Sequence, residues 1–215
     1  APLLAMFAND ERNINKCFAI YCIFEGRNKG DFKVIKAVFK AGEKLEYPSL
    51  VPIISAAAWY EREIHDLFGL VPLGHPDLRR LVLHENWPSG KYPMRKDFNM
   101  ETKVEMVEGD YPMLRAHGEG VFEVPVGPIH AGIIEPGHFR FSQAGENVIN
   151  LDAKLFFTHR GIEKSVENSA IDLAFYKIER ICGACTVSNA ISFSQAVENL
   201  AHVEITARAK YIRML

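Results

Sequence analysis

The chain has 215 residues, of which 48% are apolar and 24% charged, with a net charge of −2 at neutral pH. This length suits one or two globular domains, and the nearly balanced charge gives no reason to expect a nucleic acid as partner. The most apolar run, residues 50–60, contains Pro52 and is far shorter than the roughly 20 residues of a membrane span, so we expect no direct span. Only four cysteines argue against a disulfide-stapled secreted fold and favour a reducing interior.

The first elements are predicted to form a hairpin. Residues 16–24 indicate a strand, residues 25–30 a turn, and residues 32–39 the return strand. Cys17 and Cys22 lie five positions apart on the first strand and therefore face opposite sides of it. They cannot easily share a ligand or a disulfide, and we interpret them as buried apolar residues.

A helix is predicted over residues 53–68, because its apolar residues recur on one face. Gly69 follows as a C-cap glycine. The charged residues of this helix are expected largely on the opposite, solvent-exposed face: Glu61, Arg62, Glu63 and Asp66. Residues 45–52 before it indicate a loop or a short strand.

Prolines and glycines make residues 72–98 an extended, irregular segment, and its arginines are expected by default to be solvated. Residues 99–119 are polar and acidic, which is typical of a linker. We therefore predict a first domain over residues 1–98, a linker over 99–119 and a second domain over 120–215.

The second half begins with an extended stretch over residues 120–130. A second hairpin is predicted from the alternating segments 138–143 and 147–157, joined by a turn at Ala144 and Gly145. Two helices follow, over residues 165–180 and from residue 184 to 200. The predicted fold class is α+β, with a hairpin-rich sheet and one helix followed by a small sheet and helices.

Cys182 and Cys185 form a C-x-x-C motif at the predicted start of the last helix. The free N–H groups and the dipole of a helix N-terminus favour thiolate, and Arg180 acts in the same direction. The motif alone leaves several sites open. A closed zinc site needs four ligands, which nothing nearby supplies, and a thioredoxin motif would follow a strand rather than a helix. On spacing alone, a plain structural pair remains open beside a nickel–iron site.

Longer motifs carry a resemblance to known families. Residues 59–69 (WYEREIHDLFG), 74–80 (GHPDLRR) and 95–98 (RKDF) resemble the 30-kilodalton subunit of respiratory complex I. The later motifs resemble the beginning of the nickel–iron hydrogenase large subunit: GPIH at 127–130, EPGHF at 135–139, GEN at 145–147, HRGIEK at 159–164 and RICGAC at 180–185. Both sets in one chain are similar to the large subunit of membrane-bound, energy-converting (group 4) hydrogenases of the formate hydrogenlyase type.

The resemblance implies a nickel–iron centre held by four cysteines, with Cys182 and Cys185 as the first pair. It implies that Glu135 passes protons, while His138 either supports the cofactor site or bonds to backbone. Arg180 is expected to be a charged residue near the cofactor. The family's second cysteine pair lies near the C-terminus of such subunits. It is not among these 215 residues, so we expect this chain alone to be inactive.

The resemblance also implies iron–sulfur clusters in a partner small subunit, and membrane-arm subunits as further partners. It places the protein peripherally on the cytoplasmic face of the inner membrane. Apolar faces left open in this chain would favour homo-oligomers. One departure from the family pattern is Asn189, where a histidine is usual, and an asparagine cannot carry a proton.

Two other interpretations remain open beside the hydrogenase. One is a quinone-linked complex I subunit of the fused 30/49-kilodalton type without nickel, against which the retained Cys182 and Cys185 argue. The other is a non-catalytic docking or scaffold module, since the first hundred residues contain no catalytic constellation.

Overall fold

The chain begins with a three-stranded antiparallel sheet in the computed structural model, which describes residues 1–28, 30–40 and 42–215. Its strands are β1 (Leu3–Asp10), β2 (Cys17–Glu25) and β3 (Phe32–Lys40), in that order across the sheet. A single helical turn, α1 (Arg12–Asn15), connects β1 to β2. Here β2 is the central strand, so both edges of its backbone are hydrogen-bonded to neighbouring strands.

The predicted hairpin of β2 and β3 is confirmed, and Lys29 of the predicted turn lies outside the described residues. Strand β1 was not predicted, because its register depends on pairing with β2 rather than on a local pattern. Both cysteines of β2 are buried and face opposite sides. Cys22 belongs to the apolar core, whereas the sulfur of Cys17 lies 4.0 Å from Glu11 Oε2.

Helix α2 (Ala57–Phe68) packs against this sheet and closes the main core. Its predicted start at residue 53 was too early, since residues 51–56 form turns with Ile54 N bonded to Leu50 O at 2.7 Å. Its predicted end is confirmed, because Gly69 adopts φ 71° and donates its N–H to His65 O at 2.9 Å. The central residues of the core come from the sheet and from α2: Met6, Phe18, Ile20, Phe39, Ile64, Leu67 and Phe68.

The expectation that the charged residues of α2 face solvent is wrong for three of them. Glu61 is fully buried, and Arg62 and Asp66 are only 6% and 5% exposed. Glu61 accepts hydrogen bonds from Ser49 Oγ at 2.6 Å and from Leu50 N at 2.7 Å. A buried carboxylate is tolerated when such donors satisfy it, so Glu61 fixes the segment that enters the helix.

The other two buried side chains bind the irregular segment that follows α2. Arg62 donates to the carbonyl oxygens of Arg79 and Arg80 at 2.7 and 2.9 Å. Asp66 Oδ2 accepts three consecutive backbone N–H groups, those of residues 81–83, at 2.8 to 3.2 Å. An irregular segment has no ladder partners for these groups, so α2 supplies them.

Two short strands, β4 (Glu46–Pro48) and β5 (Val71–Leu73), flank α2 and pair in parallel. The expected loop or short strand before the helix is thus a strand of three residues. Beyond β5, residues 74–98 contain no helix or strand, as their prolines and glycines predict.

A second antiparallel sheet comprises β6 (Val121–Val126), β7 (His138–Ala144) and β8 (Asn147–Lys154). The predicted hairpin of β7 and β8 is confirmed. It is shorter than predicted, because β8 ends at Lys154 rather than at residue 157. The α+β fold class is confirmed by the mixture of these small sheets with the helices.

Arg79 joins the irregular segment to β8. Its guanidinium donates to Asp77 and to Asp152, with contacts of 2.7 Å to each carboxylate. The side chain of Arg79 is 16% exposed, so the default expectation of a solvated arginine is wrong here. Nearby, Lys154 pairs with Glu85 at 2.9 Å. These contacts dock the second sheet against the part of the chain that α2 organises.

By compactness the chain divides into a first unit, Ala1–His159, and a second unit, Arg160–Leu215. The second unit consists of the helices α3 (Ile162–Ser165), α4 (Ile171–Ile178), α5 (Thr186–Ala201) and α6 (Ala207–Ile212). The helix predicted over 165–180 is confirmed only as the shorter α4, because residues 166–170 form no helix and α3 overlaps the prediction at Ser165 alone. Residues 99–119 contain no helix or strand, and the predicted division at that linker stays a prediction.

Glu11 is the buried acceptor of a polar cluster on the first sheet. It is 6% exposed and accepts bonds from Lys36 Nζ at 2.8 Å, from Asn15 Nδ2 at 2.6 Å and from Tyr21 OH. The bonds from Lys36, Tyr21 and Asn15 lower the pKa of Glu11 from 4.5 to about 2. A carboxylate whose pKa is depressed on folding stabilises the fold above its unfolded pKa.

We expect this stabilisation to be lost as the pH falls from 4.5 to about 2. Urea unfolding of wild type across this range should show a declining free energy of unfolding. In Glu11→Gln the protein should be less stable near neutrality and this part of the decline should flatten. The control is Glu25→Gln, at an exposed position of the same sheet. Equal acid sensitivity of wild type and Glu11→Gln would contradict the assignment.

Candidate functional site

The two cysteines of the C-x-x-C motif lie where α4 ends and α5 begins. Cys185 is the N-cap residue of α5, and neither cysteine is part of a disulfide; Cys182 is half-buried and Cys185 exposed. Their side chains are hydrogen-bonded to each other. The spacing therefore presents two neighbouring sulfurs on one accessible loop, as the sequence predicted.

Thr186 holds this loop and was not predicted as a site residue. Its hydroxyl lies 3.1 Å from Cys182 O and also 3.1 Å from Gly183 O. Further along α5, Asn189 N donates to Cys185 O at 3.0 Å. The only sequence signal for Thr186 is a hydroxyl residue directly after the motif, where a helix begins.

The electrostatics of the pair differ from expectation. The pKa of Cys185 is raised, because its hydrogen bond with Cys182 and the charge of the neighbouring sulfur oppose its ionisation. Like charges close together cannot both form without cost. The expected preference for thiolate at this helix N-terminus is therefore wrong for Cys185 as one of two adjacent thiols.

Arg180 precedes the motif and its side chain is 70% exposed. It pairs with Glu179 at 3.0 Å, so much of its charge is already compensated. Arg160 donates to Ile181 O at 3.3 Å and thereby supports the backbone just before Cys182.

Asn189 lies one helical turn after Cys185, on the same face of α5. Its Nδ2 atom is buried and has no hydrogen-bond partner among the described residues. A buried donor without a partner is costly. The group at this position is therefore available to a ligand or a sulfur.

The chemistry of the donor pair fits part of the nickel–iron centre that the motifs imply. Two soft thiolates on one loop suit nickel and low-spin iron, and Cys185 is exposed while Cys182 is half-buried. Within the described residues, no group of three or more His, Cys, Asp or Glu side chains is placed to hold a metal ion. The pair therefore fits half of a four-thiolate site.

The other predicted site residues belong to the first unit, with Glu135 on the loop between β6 and β7 and His138 at the start of β7. Two histidines fasten this loop: His130 Nε2 donates to Gly137 O at 2.7 Å, and His138 Nδ1 donates to Gly127 O at 3.2 Å. A carbonyl oxygen only accepts, so these nitrogens carry the protons. His138 is thus bound to backbone, and its Nε2 atom remains for a second role.

Glu135 lies on the same loop, three residues before His138, and is exposed. The loop is fastened on both sides of Glu135, which limits where its carboxylate can move. Glu135 and His138 thus belong to the first unit, and Arg180, Cys182 and Cys185 to the second. Each set thus belongs to its own unit, and the roles of all five residues stay predictions.

Comparison with known families matches two regions of the chain. Residues 2–104 match the family described as respiratory-chain NADH dehydrogenase, 30 Kd subunit. Residues 160–215 match the family described as nickel-dependent hydrogenase. The first region contains α2 and its bound irregular segment, and the second contains the C-x-x-C motif. The chain thus combines regions of two oxidoreductase families, which confirms the resemblance inferred from the motifs.

The individual relatives agree with this combination. Over 99% of its length the chain is 37% identical to hydrogenase-4 component G and 36% identical to formate hydrogenlyase subunit 5, both of Escherichia coli. It is also 30% identical to the C/D subunit of NADH-quinone oxidoreductase from Bacteroides thetaiotaomicron over 86% of its length. It spans only 38–39% of the lengths of these relatives. Its homologues are thus subunits of hydrogenases and NADH-quinone oxidoreductases.

No described helix is long and apolar enough to cross a membrane.

The close approach at Gly127 gives a test of the loop. Gly127 adopts φ 78°, and a Cβ there would lie 2.2 Å from Gly137 O and 2.5 Å from His130 Nε2. Gly132 on the same loop has φ 84° but open space around the same position. Both positions disfavour a side chain, but only Gly127 is also blocked by neighbouring atoms.

We expect Gly132→Ala to cost only the backbone strain, about 1 kcal/mol. Gly127→Ala should cost about 1–3 kcal/mol more, because the loop must open around the added carbon. Thermal unfolding measures the difference, and hydrogen exchange of residues 127–139 locates it. Equal effects of the two substitutions would show that the loop is not closely packed in solution.

Proposed function

We propose that this chain contributes the first two thiolate ligands, from Cys182 and Cys185, to the nickel–iron centre of an energy-converting hydrogenase. The observation that carries the proposal is the pair of neighbouring cysteines without a disulfide, one exposed and one half-buried, within the region that matches nickel-dependent hydrogenases. Similarity to hydrogenase-4 component G and formate hydrogenlyase subunit 5 supports it along the whole chain.

When bound, the nickel–iron centre supplies the reversible reaction 2H⁺ + 2e⁻ ⇌ H₂. Cys182 and Cys185 would hold it as thiolates, and each must lose its proton for that. The raised pKa of Cys185 means that ligation displaces a proton that Cys185 otherwise keeps because of the neighbouring sulfur. Thr186 orients the loop through its hydroxyl, and Asn189 offers its buried Nδ2 donor to a sulfur or to a ligand of the centre.

Glu135 is proposed to move protons at its carboxylate oxygens. A positioned carboxyl group can accept a proton from the reaction and release it to water, and the exposure of Glu135 gives it access to solvent. His138 keeps the loop in place through Nδ1, which leaves Nε2 as a second acceptor. Arg180 would contribute positive charge near the cofactor.

The partners proposed for the whole protein follow from its relatives, whose names place them in hydrogenase and NADH-quinone oxidoreductase complexes. Electrons would reach the centre through iron–sulfur clusters of a partner small subunit. Membrane-arm subunits would hold the complex peripherally on the cytoplasmic face of the inner membrane.

The test replaces each ligand separately in the full-length protein, purified with its partners. Nickel per polypeptide is measured by inductively coupled plasma mass spectrometry and should fall roughly tenfold or more in Cys182→Ser and Cys185→Ser. Loss of a residue that only supports a metal ligand already costs about 10–100-fold in metal affinity, and loss of the ligand itself should cost at least as much. Hydrogen evolution should be lost with it. The matched control is Cys17→Ser, a cysteine buried in the first sheet, which should keep its nickel.

Wild-type nickel content in both ligand variants would overturn the proposal. A second candidate, a quinone-linked subunit without nickel, is favoured by the 30% identity to the C/D subunit of NADH-quinone oxidoreductase. It predicts quinone reduction by the complex, no nickel in wild type, and no effect of either cysteine substitution. The same preparations therefore distinguish the two candidates.

A further inference from the structure

A small polar cavity of about 130 Å³ lies in the first unit, between α2 and the irregular segment that follows it. Its polar lining comes from His65, Asp66, Arg80, Ser89, Lys91 and Tyr92. None of these residues takes part in the proposed nickel site. The proposed nickel site therefore does not account for this cavity, and the basic groups around it indicate what kind of ligand it could bind.

Arg80 contributes a guanidinium group to the lining of this cavity, and this group makes few hydrogen bonds within the described residues. Its one direct side-chain hydrogen bond is a long contact of 3.4 Å from NH1 to His84 O, and it forms no ion pair with a described carboxylate. The adjacent Arg79 is fully engaged with Asp77 and Asp152. A guanidinium offers five donors in a planar fork, so most of the donors of Arg80 remain for a ligand.

A second unused polar group belongs to the lining of the same cavity. His65 is on α2, and its Nδ1 atom is buried without a partner among the described residues. A buried ring nitrogen normally finds one. Lys91 adds an exposed ammonium at the rim, so three nitrogen-bearing side chains from separate parts of the chain surround one small space.

Asp66 is the one carboxylate on the lining, and its charge is largely compensated. Its Oδ2 atom accepts the three N–H groups of residues 81–83. Burial raises the pKa of Asp66, while these N–H groups and the charge of Arg80 act in the opposite direction. The cavity is therefore predominantly a donor site.

We propose that this cavity binds a small oxyanion of the size of phosphate or sulfate, held by Arg80, His65 and Lys91. Its volume equals about four water molecules. A tetrahedral oxyanion with one or two waters fills such a space. Donors from three side chains suit a tetrahedral ion with four acceptor oxygens, and a bidentate contact from Arg80 would be its strongest bond. This site is independent of the proposed hydrogenase function.

The test is titration of the full-length protein with inorganic phosphate, by isothermal calorimetry and by the rise of the unfolding temperature, which binding to the native state produces. Arg80→Gln should weaken phosphate binding about tenfold or more, because it removes a charge-assisted hydrogen bond. This substitution keeps the backbone carbonyl that Arg62 binds, so folding should survive. The control Arg27→Gln, at an exposed position outside the cavity, should bind as wild type.

Lys91→Gln is the second variant, since it alters an exposed rim residue and does not threaten the fold. It should weaken binding severalfold, and sulfate should compete with phosphate. No saturable binding by wild type would overturn the proposal, as would equal loss in Arg27→Gln and Arg80→Gln.

A separate arm distinguishes a free ion from a lipid headgroup. Phosphatidylcholine vesicles with and without phosphatidic acid are mixed with wild type and Arg80→Gln. The proposal expects equal vesicle binding by the two proteins. Capture by phosphatidic acid that depends on Arg80, without binding of free phosphate, would overturn it.

Discussion

The fold depends on α2 and on the buried polar side chains along it. Glu61 fixes the entering segment, Arg62 binds two carbonyl oxygens of the departing segment, and Asp66 binds three of its N–H groups. Buried polar groups are tolerated only when they are fully bonded, so these three side chains and the backbone they bind require each other. Through them a stretch of chain without regular structure obtains one defined path.

That path determines where the following arginines lie. Because Arg62 binds the carbonyl groups of Arg79 and Arg80, the two guanidinium groups are positioned by the helix rather than by their own packing. One arginine reaches β8 and anchors the second sheet, and the other borders the polar cavity. From the second sheet extends the loop of Glu135, which two histidines fasten at the backbone. The proposed chemistry thus rests on an acidic loop and a cysteine loop that are each held by hydrogen bonds within their own unit.

Much of this could be read from sequence, because it depends on local patterns. Alternation predicted both hairpins, and Gly69 marked the end of α2. The C-x-x-C motif identified the sulfur pair, since spacing alone brings these two side chains together. Strand β1 was not predicted, because it is defined by its pairing with β2 and not by a local pattern. The burial of Glu61, Arg62 and Asp66 was not predicted for a related reason. Periodicity separates apolar from charged residues, but it does not show which charged side chains will have buried backbone groups as hydrogen-bond partners. The preference of Cys185 for its proton was missed because it comes from the second sulfur, whereas the helix dipole alone points the other way.

The contact of Arg79 with Asp152 spans 73 positions of one polypeptide. Between two separate proteins, a few polar contacts of this kind would have to overcome the entropy of association and would hold weakly. Within one chain, the tether supplies an effective concentration in the millimolar range. A modest set of ion pairs therefore keeps the second sheet docked on the region organised by α2. Because one polypeptide contains both regions, the cell always synthesises them in a 1:1 ratio. Covalent continuity thus substitutes for the large apolar interface that separate proteins would need.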